Sequence, residues 1–385
     1  MFTLITSSKF FFVEFAKELD KQNKLHKLVI GYPRFKLSHY KIPKKRIATF
    51  PYFHASFMRL QSLISLLPQP IQGYLALFDV KSITLFARIS NKNQATFIAM
   101  SSMAQELFIK SRHSNYPKVV IFRASRHIVE QDEILKKASE DWGVFIQRPS
   151  PRIITREVLE YKLADLIIVP SEICKESFIR NGVDPEKVKV IYFPYTLSSY
   201  TNHAKTARDG NRVTFVGNVS ARKGIITLLE AWKRLGRTDL SLTIIGRTEG
   251  KFMKCLKSKN LLSENVHFSG HMNHHEIQQH LAHTSLFIMP SIEEGWPMAL
   301  MEAISMQCVT LISDAICKLG ELPNPHMNFM FESGNSVQLA QMISELTSCQ
   351  MQIKLNERRS TVVTNQIRTW KHFVDEFSEV VESLK

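Results

Sequence analysis

The chain has 385 residues, 44% hydrophobic and 22% charged, with a formal net charge of +15. That length exceeds one ordinary core, so two domains are expected, and the composition excludes a disordered or fibrous chain. Five cysteines (174, 255, 308, 317 and 349) form no Cys-x-x-Cys pair, which argues against a disulfide framework and suits a reducing cytoplasm.

The first segment, "MFTLITSSKFFFVEFAKELDK", lacks the apolar core and small-residue cleavage site of a signal peptide. Strands are expected at 3–7, 27–31, 95–100, 118–125, 166–171 and 188–194, most separated by helical patterns. Within this half, residues 33–60 carry the densest basic charge, beside aromatic side chains. That composition fits either a solvated loop leading into a core helix or an element lying on an anionic membrane surface. No run of about 18 apolar residues occurs anywhere, so no bilayer span is expected.

The apolar-poor stretch "SSYTNHAKTARDGN" (198–211) is the expected linker. Strands then follow at 212–217, 240–246, 265–270, 286–291, 309–313 and 328–332, again with helices between them. Two such series predict two doubly wound α/β domains with parallel sheets, and a site in the cleft outside the strand tips. The tail places Trp370, Phe373, Phe377, Val380 and Val381 at helical spacing, which predicts a packing helix.

In "VTFVGNVSARKGIITLLEAWKRL" a strand ends at Gly217 and a helix is expected from about Lys223. Arg222 and Lys223 then stand at a helix N-terminus, where carboxylates would suit the helix better. Two cations there make sense if an anion, usually a phosphate, is to be bound; the alternative is a solvated basic turn. It is no Walker loop, because Gly-Lys-Ser/Thr is absent. "MPSIEEGWPMALMEAIS" repeats the layout: Glu294 falls at the strand tip, Pro297 in the first turn and Glu302 about one and a half turns inside the helix. Carboxylates accept hydrogen bonds from sugar hydroxyls in pairs. Singly, Glu294 also reads as a helix-start carboxylate and Glu302 as a surface residue. In the first half, Arg123, Ser125 and His127 follow a strand at its carboxyl end, where ligand groups are expected, although a lone loop histidine is more often structural. The histidines of "GHMNHHEIQQHLAHT" do not form His-Glu-x-x-His and no Cys or Asp joins them, so no metal site is expected.

"VGNVSARKG", "IIGRTEG", "VHFSGHMNHHEI" and "MPSIEEGWPMALMEAIS", in this order, resemble the C-terminal domain of retaining glycosyltransferases of family 4, which have the GT-B fold of two Rossmann-like domains. Their Glu, seven residues, Glu signature falls on Glu294 and Glu302, with Gly295 after the first Glu. Upstream, "GYPRFKL", "RASRHIVEQDEIL" and "EYKLADLIIVPSEICKESFIRNGVDPEKVKVIYFPY" extend the resemblance over nearly the whole chain. It implies an acceptor-binding domain over 1–197, a linker over 198–211, a nucleotide-sugar-binding domain over 212–366, and a helix over 367–385 crossing back onto the first domain. It implies a UDP- or GDP-linked sugar whose diphosphate meets Gly217, Asn218, Arg222 and Lys223. Its ribose would meet Glu302, and its sugar Glu294 and Gly295. Ser7, Ser8, Arg123 and Ser125 would serve the acceptor side, with His127 at the donor sugar or acceptor. It also implies transfer with retention, without metal or other cofactor, to a glycan or lipid-linked acceptor in surface polysaccharide synthesis at the inner membrane face. The chain departs from the family in three places. Asn218 stands where many members have Arg, "TSSKFFF" lacks a Gly-rich loop, and Thr196 replaces a frequent Gly.

Other classes have less support. The charge alone would suit nucleic acid, but no zinc finger, RNP or KH pattern is present, so no nucleic-acid partner is expected. A dehydrogenase is disfavoured without Gly-x-Gly-x-x-Gly. A nucleotide-sugar epimerase and a catalytically degenerate relative remain the alternatives.

Overall fold

The computed structural model describes all residues except 8, 10, 65, 91–94, 111–116, 195–207, 209, 361–367 and 385. Thirteen strands form two sheets among the described residues. β1 (Phe2–Thr6), β2 (Leu25–Ile30), β3 (Ile47–Thr49), β4 (Thr96–Met100), β5 (Val119–Phe122), β6 (Leu166–Val169) and β7 (Val188–Val190) lie in the order β3-β2-β1-β4-β5-β6-β7. β8 (Arg212–Val216), β9 (Ser241–Ile245), β10 (Val266–Gly270), β11 (Leu286–Met289), β12 (Val309–Ser313) and β13 (Asn328–Phe331) lie in the order β10-β9-β8-β11-β12-β13.

Every pairing in both sheets is parallel. The sequence dictates this arrangement: "FTLIT", "VVIF", "LIIV", "LFIM" and "VTLIS" are buried at every position, so helices must cover both faces. Two Rossmann-like domains result. In each, the strand order reverses beside the first strand, between β1 and β4 and between β8 and β11. Ligands of such sheets bind outside the strand tips at that reversal.

Two segments depart from the expected strand pattern. The segment expected as a strand over 188–194 leaves the sheet after Val190, because Phe193 instead packs between Phe11 and Phe122, with ring centroids 4.5 and 5.7 Å away. The basic segment contains a short edge strand, β3. Most of 198–211, and Thr196, lie outside the described residues; within that stretch Arg208 is buried and donates to the Met306 carbonyl at 2.6 Å. The final helix, Trp370–Glu382, packs on helix Phe12–Lys21 of the first domain. Phe373 and Phe377 set their rings 5.1 and 5.0 Å from Phe15.

Candidate functional site

The strand reversal of the second domain puts the loops after β8 and β11 side by side. Gly224 lets them touch. It has φ +69°, and a Cβ there would lie 1.8 Å from the Pro290 carbonyl oxygen. A strap joins the loops, from the Ile292 N–H to the Arg222 carbonyl at 3.0 Å. Helix Ile225–Leu235 starts two residues later than expected, on Gly224, with no side-chain cap. Its first-turn N–H groups therefore rely on loop or ligand partners.

Four charges meet here in two pairs. The Lys223 Nζ donates to Glu294 Oε1, whose second contact is the Ser291 hydroxyl at 3.4 Å. Arg222 Nη1 donates to Glu293 Oε2 at 3.0 Å. Glu293 is completely buried and Glu294 is 8% exposed. Burial alone would push the Glu293 carboxyl up, but Arg222, hydrogen bonds from Ser125 and Gln131, and Arg123 together hold it below the usual range. Burial likewise opposes the Arg222 charge, and Glu294 and Glu293 more than restore it. Arg222, expected at a diphosphate, pairs with the buried Glu293 while its side chain stays 37% exposed.

Glu293 also reaches the first domain. It accepts from the Ser125 hydroxyl and from Gln131 Nε2 at 2.9 Å. Gln131 in turn accepts from Arg123 Nη2 at 2.7 Å, and Arg123 pairs with Glu157 at 2.8 Å. Arg123 is buried and Ser125 bonded, so both expected acceptor groups belong to the join between domains. Gly295 lies at the same join, where a Cβ would meet the Ala124 carbonyl oxygen at 2.2 Å. His127 is buried between the rings of Tyr161 and Phe178. Its Nδ1 accepts from the Val129 N–H at 3.4 Å, capping helix Ile128–Trp142. Burial and the Arg123 charge lower its pKa to about 4. The ring is therefore neutral at ordinary pH, and its place is that of a positioning group rather than one open to a ligand. Ser7 sits half-buried at the tip of β1; Ser8 lies outside the described residues.

Pro297 is the N-cap of helix Met298–Ser305, just outside the first turn. One turn further, Glu302 is partly buried and lies 3.2 Å from His274 Nδ1. Burial raises the Glu302 pKa, against the pull of His274. His280 meets the Thr214 hydroxyl at 3.2 Å. Among the described residues no three His, Cys, Asp or Glu side chains gather as a metal-holding group. Gly217 has φ +156° and Asn218 beside it is exposed. Across the strand tips Arg247 is also exposed, its carbonyl bonded to the Val219 N–H at 2.9 Å. Nothing in "IIGRTEG" singles Arg247 out, because its place near Asn218 is set by the β8–β9 pairing.

Residues 200–365 match the model of the family described as glycosyl transferases group 1. Over 221 residues the chain is 24% identical to the capsular polysaccharide biosynthesis glycosyltransferase CapH of Staphylococcus aureus, covering 56% of this chain and 57% of that protein. Over 257 residues it is 20% identical to the phosphatidylinositol N-acetylglucosaminyltransferase gpi3 subunit of Schizosaccharomyces pombe, covering 65% and 56%. The chain thus spans a little over half the length of these two relatives. In three dimensions it is similar to Anabaena HepE, solved with UDP and glucose, with a TM-score of 0.66, 15% identity and 99% of each chain covered. That likeness shows the GT-B arrangement of two Rossmann-like domains.

Proposed function

We propose that this chain is a glycosyltransferase that moves a sugar from a nucleotide-activated donor to a glycan or lipid-linked acceptor, with retention and without a metal ion. The observation that carries the reading is the Lys223–Glu294 pair beside the uncapped start of helix Ile225–Leu235, at a strand-order reversal. A donor diphosphate would replace Glu294 as the counter-ion of Lys223, with the N–H groups of the helix start, which no side chain caps, beside it. Released from Lys223, Glu294 would accept from hydroxyls of the donor sugar, and Glu302 would accept from the ribose diol. As the C1–O(phosphate) bond breaks, Lys223 and the helix end stabilise the charge gathering on the leaving diphosphate. The acceptor oxygen bonds C1 on the same face, and its proton passes to a phosphate oxygen. Ser7, at the strand reversal of the first domain, is the described residue best placed for the acceptor, while Arg123, Ser125 and His127 hold the loop that meets the donor domain.

Surface polysaccharide assembly at the inner membrane face fits this reading, given what CapH and TuaC of Bacillus subtilis are named for. One observation favours a second reading, a nucleotide-sugar binder without transfer: Arg222 is already paired with Glu293 and Asn218 carries no charge. A panel of UDP- and GDP-sugars, with a chelator present, separates the two. A transferase yields product only when acceptor is added, with the donor's anomeric configuration by NMR. Inverted product, or donor converted without acceptor, rejects the proposal.

A further inference from the structure

Helix Gln69–Ser90 turns an apolar stripe to solvent. From Ile71 onward its exposed positions, 71, 74, 78, 81, 85 and 89, fall three or four apart, on one face. Five of the six are Ile71, Tyr74, Phe78, Leu85 and Ile89, between 44% and 75% exposed; the sixth is Lys81. The opposite face, with Ile83 and Ala87, is buried in the first domain. The preceding stretch extends the patch through Met58, Leu60, Leu63, Leu66 and Leu67, all exposed. A soluble surface does not ordinarily spend so many large apolar side chains together.

The charge of the segment that carries the stripe points to its partner. Residues 33–90 contain nine Lys and Arg and one carboxylate, Asp79. Asp79 is buried against His54, Oδ2 to Nδ1 at 2.8 Å, so the surface of this segment presents no acid. Lys36, Lys41, Lys44, Lys45, Arg59 and Lys81 are all exposed. A second copy of the chain would bring the same cations face to face and be repelled. An anionic bilayer surface satisfies both features, because apolar side chains enter the headgroup boundary while flanking cations meet lipid phosphates. Lys81, in mid-stripe, has a stem long enough to reach back to that level. No helix among the described residues is long and apolar enough to cross a membrane, and a helix of about 33 Å lying flat fits the interface.

We propose that helix Gln69–Ser90 and the turn before it dock the first domain onto an anionic lipid surface. The inference goes beyond the transfer reading and does not need it, since the proposed nucleotide site lies in the second domain. The test is co-flotation of the full chain with phosphatidylcholine vesicles, with and without phosphatidylglycerol. Binding is expected only with phosphatidylglycerol and should weaken with salt. Phe78→Glu or Leu85→Glu should lower partitioning at least tenfold. Lys44→Ala with Lys45→Ala should lower it roughly 25-fold at low ionic strength, about fivefold for each charge. All four positions are solvent-facing or nearly so, and an unchanged circular dichroism spectrum verifies the fold of each variant. Wild-type protein that stays off anionic vesicles, or a Phe78→Glu variant that floats like wild type, overturns the proposal. So does a dimer in solution that Phe78→Glu dissociates, because the stripe would then belong to a second copy.

Discussion

The buried Glu293 carboxylate of the second domain accepts a hydrogen bond from the Ser125 hydroxyl of the first, 168 residues away in sequence. Gln131 donates to the same carboxylate from the first domain and Arg222 from the second. One charge thus ties the candidate donor loop to the opposite domain. Glu293→Ala strands three donors and is expected to cost about 3 kcal/mol in urea unfolding. Combined with Ser125→Ala, the loss should fall short of the sum by about 1 kcal/mol. Strict additivity would mean the two groups do not interact.

Gly295→Ala tests the same join sterically. The new methyl has nowhere to go but into the Ala124 carbonyl, so the loops must separate. Turnover should drop about 100-fold, the cost of a displacement near 1 Å, while nucleoside diphosphate affinity changes far less. Equal losses in both would show that Gly295 serves the donor pocket alone.

His127 makes a prediction about pH. Its pKa is lowered to about 4 in the folded chain, against about 6.5 unfolded. Between those values the unfolded state binds the proton and the folded state does not. Stability is therefore complete above about pH 6.5 and declines as pH falls toward 4, by up to about 3 kcal/mol. His127→Asn keeps a good N-cap and removes the titration, so melting curves for the variant should lose part of this decline. An unaltered pH profile would place the acid sensitivity elsewhere.

Asn218 and Arg247 sit on adjacent strand tips, both exposed. A single solvent-facing cation contributes modestly to anion binding, so Arg247→Ala should weaken nucleoside diphosphate binding about threefold. Asn218→Arg should strengthen it by a similar factor. Calorimetric titration reads both; no change in either would remove these tips from the phosphate site.

The alternation of short apolar runs and helices was enough to read two parallel sheets, since "LFIM" and "VTLIS" suit no half-exposed strand. Lys223, Glu294 and Glu302 were legible as polar residues at strand tips or helix starts. Glu293 was not. Beside Glu294 it looks like one more acid before a helix, and its partners Ser125 and Gln131 lie more than 160 residues away. The Arg222–Glu293 pair is hidden for the same reason, because only the fold reveals the carboxylate beneath Arg222. Charge and aromatic content single out residues 33–60, whereas the exposed apolar side chains run on through Ile89. In helix Gln69–Ser90 apolar residues occur on both sides, with Ile83 and Ala87 buried and Phe78 and Leu85 exposed, so periodicity does not tell which side the core covers.

In the proposed reaction Lys223 and Glu302 hold a nucleotide-sugar on the second domain. Isothermal titration of UDP- and GDP-sugars, with chelator present, tests it most directly in wild type, Lys223→Ala and Glu302→Ala. One nucleotide series should bind wild type at a single site, lose at least about tenfold in affinity with each substitution, and be indifferent to the chelator. Binding that survives both substitutions, or that vanishes when divalent ions are removed, contradicts the account.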